Sequence, residues 1–455
     1  MADNNRANFG SKLGVVAAAA GSAVGLGNIW RFPYELGQSG GGAFLLIYIV
    51  CIVLLGLPIM TSEFLIGRMS QSNAVGAFRK LGPKGSKWWL VGVMGVLSAF
   101  FIMGFYVVVS GWTLEYIVQA VTNSFANKDT ETLTRAFTDF STGTWRPIIW
   151  MTLFLVITCV IIVGGVKNGI EKSAKFMMPL LLIIIVALGV RAVTLPGGAE
   201  GLRFLFKPDF SKIDSSVVLN AMGQAFFSLS LGMGCMITYG SYINKKNHLA
   251  HTVLEVTFVD TIIAVLASIA IFPAVFSFGI NPEQGPTLVF ITLPNIFAHM
   301  PGGLIWSLLF FILLSIAALT STISLLEVIV AFFTEEFKMS RAKAAIIASA
   351  GIWVLGVCAS LSMGVWSDVH IFGFTIFDFL DNITSKIMMP LGGLLIALFA
   401  GWVMKKDQML GELSNNGKYK TAYFRAYYFI VRFVAPVAIL MIFLNQLGVF
   451  RWLRL

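Results

Sequence analysis

The stretch Gly21-Ser22-Ala23-Val24-Gly25-Leu26-Gly27-Asn28 decides how this chain is read. It sits inside an uncharged apolar segment, 13–30, of the kind that crosses a bilayer as a helix. Yet glycine costs a helix about 1 kcal/mol relative to alanine, and Gly21, Gly25 and Gly27 fall within one short run. Arg31-Phe32-Pro33 follows at once. A second apolar segment is interrupted in the same way at Ser228-Leu229-Ser230-Leu231-Gly232-Met233-Gly234. Two broken helices at corresponding places in two halves of a membrane protein point to a transporter's binding site. Unwound backbone there offers free N–H and C=O groups to a ligand.

Composition places the whole chain in the membrane. Of 455 residues, 57% are hydrophobic and 12% charged, and the mean hydropathy of +0.84 lies outside the range of soluble domains. Eleven apolar stretches are expected to span: 13–36, 42–67, 88–121, 147–166, 176–193, 217–243, 256–280, 302–333, 344–366, 383–404 and 427–450. The fourth and fifth are short. The proline-containing segment 281–301 is expected to form a hairpin of short helices outside the membrane. The polar start, 1–12, runs into functional-looking sequence and does not resemble a cleavable signal. The net charge of +10 is carried by short loops, which argues for membrane topology rather than nucleic-acid binding.

Basic residues fall in alternate loops: Arg68, Arg79, Lys80, Lys84 and Lys87, then Lys167, Lys172 and Lys175, then Lys245 and Lys246, then Lys338, Arg341 and Lys343, then Lys405, Lys406, Lys418 and Lys420. This pattern sets the N-terminus in the cytoplasm of a multi-pass cell-membrane protein and Arg451 and Arg454 outside. One outer loop dissents, with Arg191, Arg203, Lys207 and Lys212 only partly offset by Glu200, Asp209 and Asp214. Because the broken segments are the first and the sixth, the halves run in opposite senses. The expected fold is an all-α polytopic membrane protein, an inverted five-plus-five repeat (13–193 and 217–404) with helices 1 and 6 broken and an added helix at 421–455.

Ionisable groups inside lipid cost about 2.5–3.5 kcal/mol on insertion scales and need a reason. Five are expected there: Glu63, Glu115, Asp260, Glu327 and Arg432. Asp260 is the strongest candidate for a cation ligand, against the alternative of a helix-end carboxylate reaching back to water. Glu63 suits a support role, bonding N–H groups freed by a broken helix. Glu115 and Arg432 read as helix-end residues. Thr320-Ser321-Thr322 lies within the eighth segment, and such hydroxyls either bond their own backbone or serve a hard cation. Cys51, Cys159, Cys235 and Cys358 have no metal or disulfide spacing and read as packing residues, and His248 and His251 read as solvated.

At these residues the chain resembles the neurotransmitter:sodium symporters, in their bacterial amino-acid branch. The resemblance rests on Gly21 through Pro33, on Gln38 through Phe44, on Gln224 through Gly234, on Leu319-Thr320-Ser321, and on Gly169 with Pro179 ten residues on. It runs from about residue 13 to at least 381. It implies sodium-coupled uptake of amino acids and two Na⁺ sites. One would use Ala23, Asn28, Ser228 and Asp260, and the other Gly21, Val24, Ala317, Thr320 and Ser321. The substrate carboxylate would meet N–H groups at Leu26 and Gly27 and the Tyr106 hydroxyl, and the amine would meet carbonyls near Ala23, Phe227 and Ser230. The side chain would enter a pocket of Ile102, Tyr106, Phe227, Met233, Ser324 and Leu325, with Ser321 and Ser228 close by. Arg31 with Asp381 would gate the outside, and Arg6 with Glu335, beside Phe9, the inside. Gly169 and Pro179 would bracket a stretch of helix 5 that unwinds.

Two positions depart from the family pattern. Asp260 stands where many members have Asn, and a fixed carboxylate there implies chloride-independent transport. Met233 between two glycines implies a broad preference for apolar and aromatic side chains, since methionine adapts its shape. No acidic residue is expected in the side-chain pocket, which argues against a monoamine. A repeated filter motif for a channel and a catalytic constellation for an enzyme are both missing from the sequence. A proton-coupled carrier of the same fold and an amino-acid-binding sensor stay open as alternatives.

Overall fold

The computed structural model describes residues 8–126, 128–279 and 288–449. Within them, nine helices are long and apolar enough to cross a membrane: Gly42–Ser70, Trp89–Val121, Trp145–Val163, Val166–Val193, Leu249–Ser277, Gly303–Glu336, Arg341–Leu361, Ile376–Val403 and Phe424–Gln446. A tenth span is made of two pieces, Lys12–Ala23 and Gly27–Gln38, bent by 53° at the break. An eleventh runs through Ser215–Ser228 and Cys235–Gly240, with residues 229–234 out of helix. In chain order these are spans 1 to 11, with spans 1 and 6 broken as the glycines require.

Several boundaries differ from the sequence expectation. Span 7 begins at Leu249, not 256, because Glu255 and His251 are helical although polar. Asp260 therefore lies three turns into the helix and is fully buried, and the reading of it as a helix-end group reaching water is wrong. Span 5 begins at Val166, ten residues before the apolar run, in a wide π-type turn that contains Gly169. Span 10 begins at Ile376, so Asp381 is helical and not in a preceding loop. Of segment 281–301, residues 288–301 are described, and 288–299 are helical. Phe290 there packs into a ring cluster with Trp30, Trp112, Tyr116 and Phe311.

The packing repeats itself under a shift of five spans. Span 3 lies against span 8, span 1 against span 7 as the second half of span 6 lies against span 2, and span 3 against span 9 as span 8 lies against span 4. Spans 5 and 7 meet as do spans 10 and 2. That correspondence puts the two breaks side by side at the centre. It also explains why the broken pieces are among the most buried in the chain, with 15–29 almost wholly closed off. Faces turned outward carry Val160, Phe176, Ile183 and Phe258, each at least 65% exposed, as lipid-facing surface demands.

Several charged groups inside the bundle have charged or aromatic partners. Glu115 is buried against Arg146 and the Trp150 indole. Glu327 meets Arg341, whose Nε also donates to the Ile162 carbonyl at 2.7 Å. Arg68 is wholly buried and donates to Glu412 at 2.6 Å, to the Asn247 carbonyl at 2.8 Å and to the Glu412 carbonyl, so it bolts span 2 to two loops. Arg432 lies over the Trp402 ring at 4.2 Å. His248, outside the spans, caps span 7 through its ring nitrogen and packs on Tyr419. Burial, then the neighbouring His251, holds it below the usual histidine range.

Candidate transport site

The break in span 1 starts at Val24, where the chain turns extended (φ −72°, ψ 109°). Asn28 holds the turn from within: its Oδ1 accepts from Gly25 N at 3.1 Å while its own N–H donates to the Gly25 carbonyl. The Leu26 N–H donates to the Tyr106 hydroxyl at 3.1 Å. In span 6, Ser230, Gly232 and Gly234 all take positive φ (53°, 82° and 80°). A Cβ on Gly232 would press into the main chain of Met389 and Gly393, so only glycine fits there. The freed Gly232 N–H donates to Glu63 Oε1 at 2.7 Å, which is the support role expected of that buried carboxylate. Ser230 Oγ donates to the Ser22 carbonyl at 2.9 Å and joins the two breaks directly.

Two oxygen-rich clusters flank this junction. In the first, Asn28 Nδ2 donates to Asp260 Oδ1 at 2.7 Å and to Ser228 Oγ at 3.0 Å, and Ser228 Oγ donates to Asp260 Oδ2 at 2.8 Å. Tyr48 adds its hydroxyl to Ser228 at 3.1 Å. Among the described residues Asp260 has no cationic partner, although it is fully buried. A carboxylate buried among neutral groups is costly, and a cation beside it relieves that cost. In the second cluster, Thr320 Oγ1 lies 3.0 Å from the Ala317 carbonyl and 3.2 Å from those of Val24 and Ile316, and Ser321 Oγ lies 3.4 Å from the Val24 carbonyl. Gly21 packs against Thr320, and a Cβ there would stand 3.2 Å from the threonine Cβ. Neutral hydroxyl and carbonyl oxygens of this kind suit a hard monovalent cation.

Between the clusters lies a cavity of 40 Å³ lined by Ser22, Ala23, Gly25, Gly27, Ile102, Tyr106, Phe227, Ser230, Met233, Cys235, Ser321 and Leu325. Its wall holds no charged side chain. Most of the expected substrate residues are in it. Ser324 is one layer back, accepting or donating between the Tyr239 hydroxyl (2.9 Å) and the Thr320 carbonyl. Leu26 and Ser228 are spent on Tyr106 and Asp260 and do not line it. Cys235, buried and free, also lines the cavity.

Above the cavity, Phe227 closes over Gly27, and Arg31 lies on the Phe227 ring at 4.4 Å. Arg31 and Asp381 form no ion pair within 4 Å. The carboxylate nearest to ion-pairing with Arg31 is Glu35, at 3.9 Å, and Asp381 is only within electrostatic range. Below it, Phe9 packs edge-on to Tyr239 and Tyr242 at 5.8 and 6.0 Å. Glu335 accepts from the main-chain and side-chain nitrogens of Asn73 at 2.8 and 3.1 Å. Arg6 lies outside the described residues.

Three features escaped the sequence reading. Tyr48 gives no signal in an apolar run. Tyr242 links Phe9 to Glu327 through its hydroxyl (2.6 Å). Glu171, at the wide turn that opens span 5, accepts from Gly10 N (2.6 Å), Ser11 Oγ (2.9 Å) and Lys175 Nζ (2.6 Å). It fastens the start of span 1 beside Gly169, with Pro179 two turns further on inside the helix.

Comparison with known proteins agrees with this geometry. Residues 6–139 and 123–454 match the Sodium:neurotransmitter symporter family. The chain is 39% identical to the uncharacterized sodium-dependent transporter YhdH of Bacillus subtilis over 449 residues, 99% of each chain. It is 41% identical to an uncharacterized sodium-dependent transporter of Haemophilus influenzae, over 98% of this chain and 100% of that one. Among solved structures, the crystal structure of MhsT in complex with L-phenylalanine superposes with a TM-score of 0.89 at 46% identity, covering 97% of this chain and 100% of that one. The chain is thus a sodium-dependent, multi-pass membrane transporter and not an enzyme, and it belongs to the sodium:neurotransmitter symporter family.

Proposed function

We propose that the chain is a symporter that couples two Na⁺ ions to the uptake of hydrophobic and aromatic L-amino acids by alternating access, without chloride. The observation that carries this reading is the uncharged, apolar-walled cavity set between the two oxygen clusters, with the backbone of both broken spans at its edge. A zwitterion finds polar backbone for its two charges there and apolar side chains for the rest. The MhsT relative carries L-phenylalanine, which fits the same chemistry.

In this reading Ala23, Asn28, Ser228 and Asp260 hold one Na⁺ and Gly21, Val24, Ala317, Thr320 and Ser321 the other. Tyr106 and the N–H groups at Leu26 and Gly27 take the substrate carboxylate, the Leu26 N–H exchanging its bond to the Tyr106 hydroxyl for it, because the helix that restarts there presents its positive end. Ile102, Phe227, Met233 and Leu325 receive the side chain, and Met233 between two glycines lets the wall adapt. Phe227 with Arg31, and Asp381 beyond, close the outer side; Phe9, Arg6 and Glu335 close the inner one. The Glu171 clamp beside Gly169 supports a role for the start of span 5 in opening inward. The N-terminus lies in the cytoplasm, and 13–193 and 217–404 are the two repeats, a division that the shift-of-five packing supports. Two Na⁺ moving down about 100 mV release about 4.6 kcal/mol, enough for roughly a thousandfold accumulation.

The test is uptake of radiolabelled tryptophan and leucine into proteoliposomes at equal pH on both sides, with and without an inward Na⁺ gradient. Accumulation only with the Na⁺ gradient is expected. Accumulation driven by a proton gradient alone, imposed in a separate Na⁺-free arm, would overturn both ion sites. Na⁺-dependent binding with no uptake would make the protein a sensor.

A further inference from the structure

On the lipid-facing side of the bundle, the start of span 2, the middle of span 7 and the loop helix Gly198–Phe206 enclose a groove of 430 Å³. Its walls are Leu45, Leu46, Ile49, Phe206, Val265 and Leu266. Leu46 and Ile49 are 45% and 38% exposed, yet they belong to a helix that crosses the membrane, so hydrocarbon is the medium outside them.

Two cations, Arg203 and Lys207, stand in sequence beside the groove residues Leu205 and Phe206. Gly42 forms the end of the groove, and the Lys207 main chain passes so close that a Cβ on Gly42 would stand 3.0 Å from the Lys207 carbonyl carbon. A short bridge between Gly41 and Pro208 fixes this approach. Arg203 precedes Lys207 by one helical turn. Both are exposed, and neither forms an ion pair among the described residues. Two of the three acids of the same loop are engaged elsewhere, Asp209 accepting from Ser211 and Asp214 capping span 6, and the third, Glu200, forms no ion pair with either cation among the described residues. Phe206 and Phe210, 54% and 65% exposed, add apolar surface beside the cations, of the kind that sinks into the headgroup and acyl boundary. This is the loop whose basic residues break the alternation seen in the others, so its charge needs a cause other than topology.

We propose that the groove is a binding site for an anionic phospholipid, with one acyl chain between spans 2 and 7 and the phosphate held by Lys207 and Arg203. A free phosphate lacks the chain that fills the groove, and a zwitterionic lipid lacks the net charge that two cations select. The lipid joins the loop helix to span 7 from outside. Thr261 lies in the groove wall while its neighbour Asp260 faces the candidate ion cluster, so the lipid supports the back of the helix that carries that carboxylate.

The test is thermal unfolding of the detergent-purified protein with added dioleoylphosphatidylglycerol, dioleoylphosphatidylcholine or glycerol phosphate, with native mass spectrometry to count bound lipids. Phosphatidylglycerol is expected to stabilise at about tenfold lower concentration than phosphatidylcholine, and glycerol phosphate not at all. Arg203→Gln with Lys207→Gln should remove that preference. Leu46→Trp, or Val265→Trp from the opposite wall, should abolish stabilisation by both lipids and leave the lipid-free unfolding temperature unchanged. Equal potency of the two lipids, an unchanged preference in the double variant, lipid still retained by both Trp variants, or stabilisation by glycerol phosphate alone would each overturn the proposal.

Discussion

Replacing Asp260 with asparagine removes one negative charge and keeps the shape of the side chain. In the native protein both carboxylate oxygens accept hydrogen bonds, from Asn28 at 2.7 Å and from Ser228 at 2.8 Å. An asparagine can still accept from Asn28, so the junction of spans 1, 6 and 7 should hold. What is lost is attraction for a cation bound beside it. A unit charge about 4 Å away in surroundings of effective dielectric near 20 is worth about 4 kcal/mol, which is about three powers of ten in affinity. Asp260→Asn should therefore raise the Na⁺ concentration for half-maximal substrate binding by two to three orders of magnitude when gluconate is the only anion. Chloride should restore much of it, since the Tyr48 and Ser228 hydroxyls can turn their protons toward an anion. The assay is radiolabelled leucine binding as a function of Na⁺ in chloride and in gluconate. An unchanged Na⁺ dependence of the variant in gluconate, or a chloride requirement in the native protein, would refute the reasoning.

Gly27→Ala would place a Cβ 2.7 and 2.9 Å from two ring carbons of Phe227, where contact normally begins near 3.5 Å. Overpacking of about 1–3 kcal/mol should weaken binding of aromatic amino acids by about tenfold to a hundredfold, and a second change, Phe227→Leu, should recover most of it in equilibrium dialysis. Glu171→Gln should weaken the hold on Gly10, Ser11 and Lys175 together, and hydrogen–deuterium exchange should quicken in residues 10–15 and 164–171 while the distant Glu115 region is unchanged. Arg68→Ala leaves Glu412 without its partner and a large buried space, so a loss of about 3–5 kcal/mol is expected, read as a lower unfolding temperature and poor yield, with Arg68→Lys intermediate.

Much of this architecture was legible because the bilayer imposes a simple rule: long apolar runs cross it, and glycine-rich interruptions inside them mark unwound backbone. The rule reports contact with lipid and not the extent of the helix. That is why spans 5, 7 and 10 begin earlier than hydropathy suggests, at residues such as Glu171, Glu255 and Asp378 that are helical but polar. Asn28, Ser228 and Thr320 were visible as polar residues at breaks and in apolar runs. The contacts that give them meaning were not, since Asn28 and Asp260 meet across 232 positions and Gly10 and Glu171 across 161. Nothing local announces that Arg31 rests on Phe227 rather than reaching Asp381, because that depends on how two separate spans lean together.

The breaks in spans 1 and 6 also bear on speed. A continuous helix that must hinge has to melt part of its ladder first, and that nucleus is expensive to rebuild. Here the ladder is already open, and its loose ends are tied by individual side chains: Tyr106 on Leu26, Glu63 on Gly232, Ser230 on Ser22. Exchanging such partners costs about 1 kcal/mol net apiece. Rearrangement at the two breaks therefore turns on a handful of interchangeable bonds, each open to tuning by one substitution.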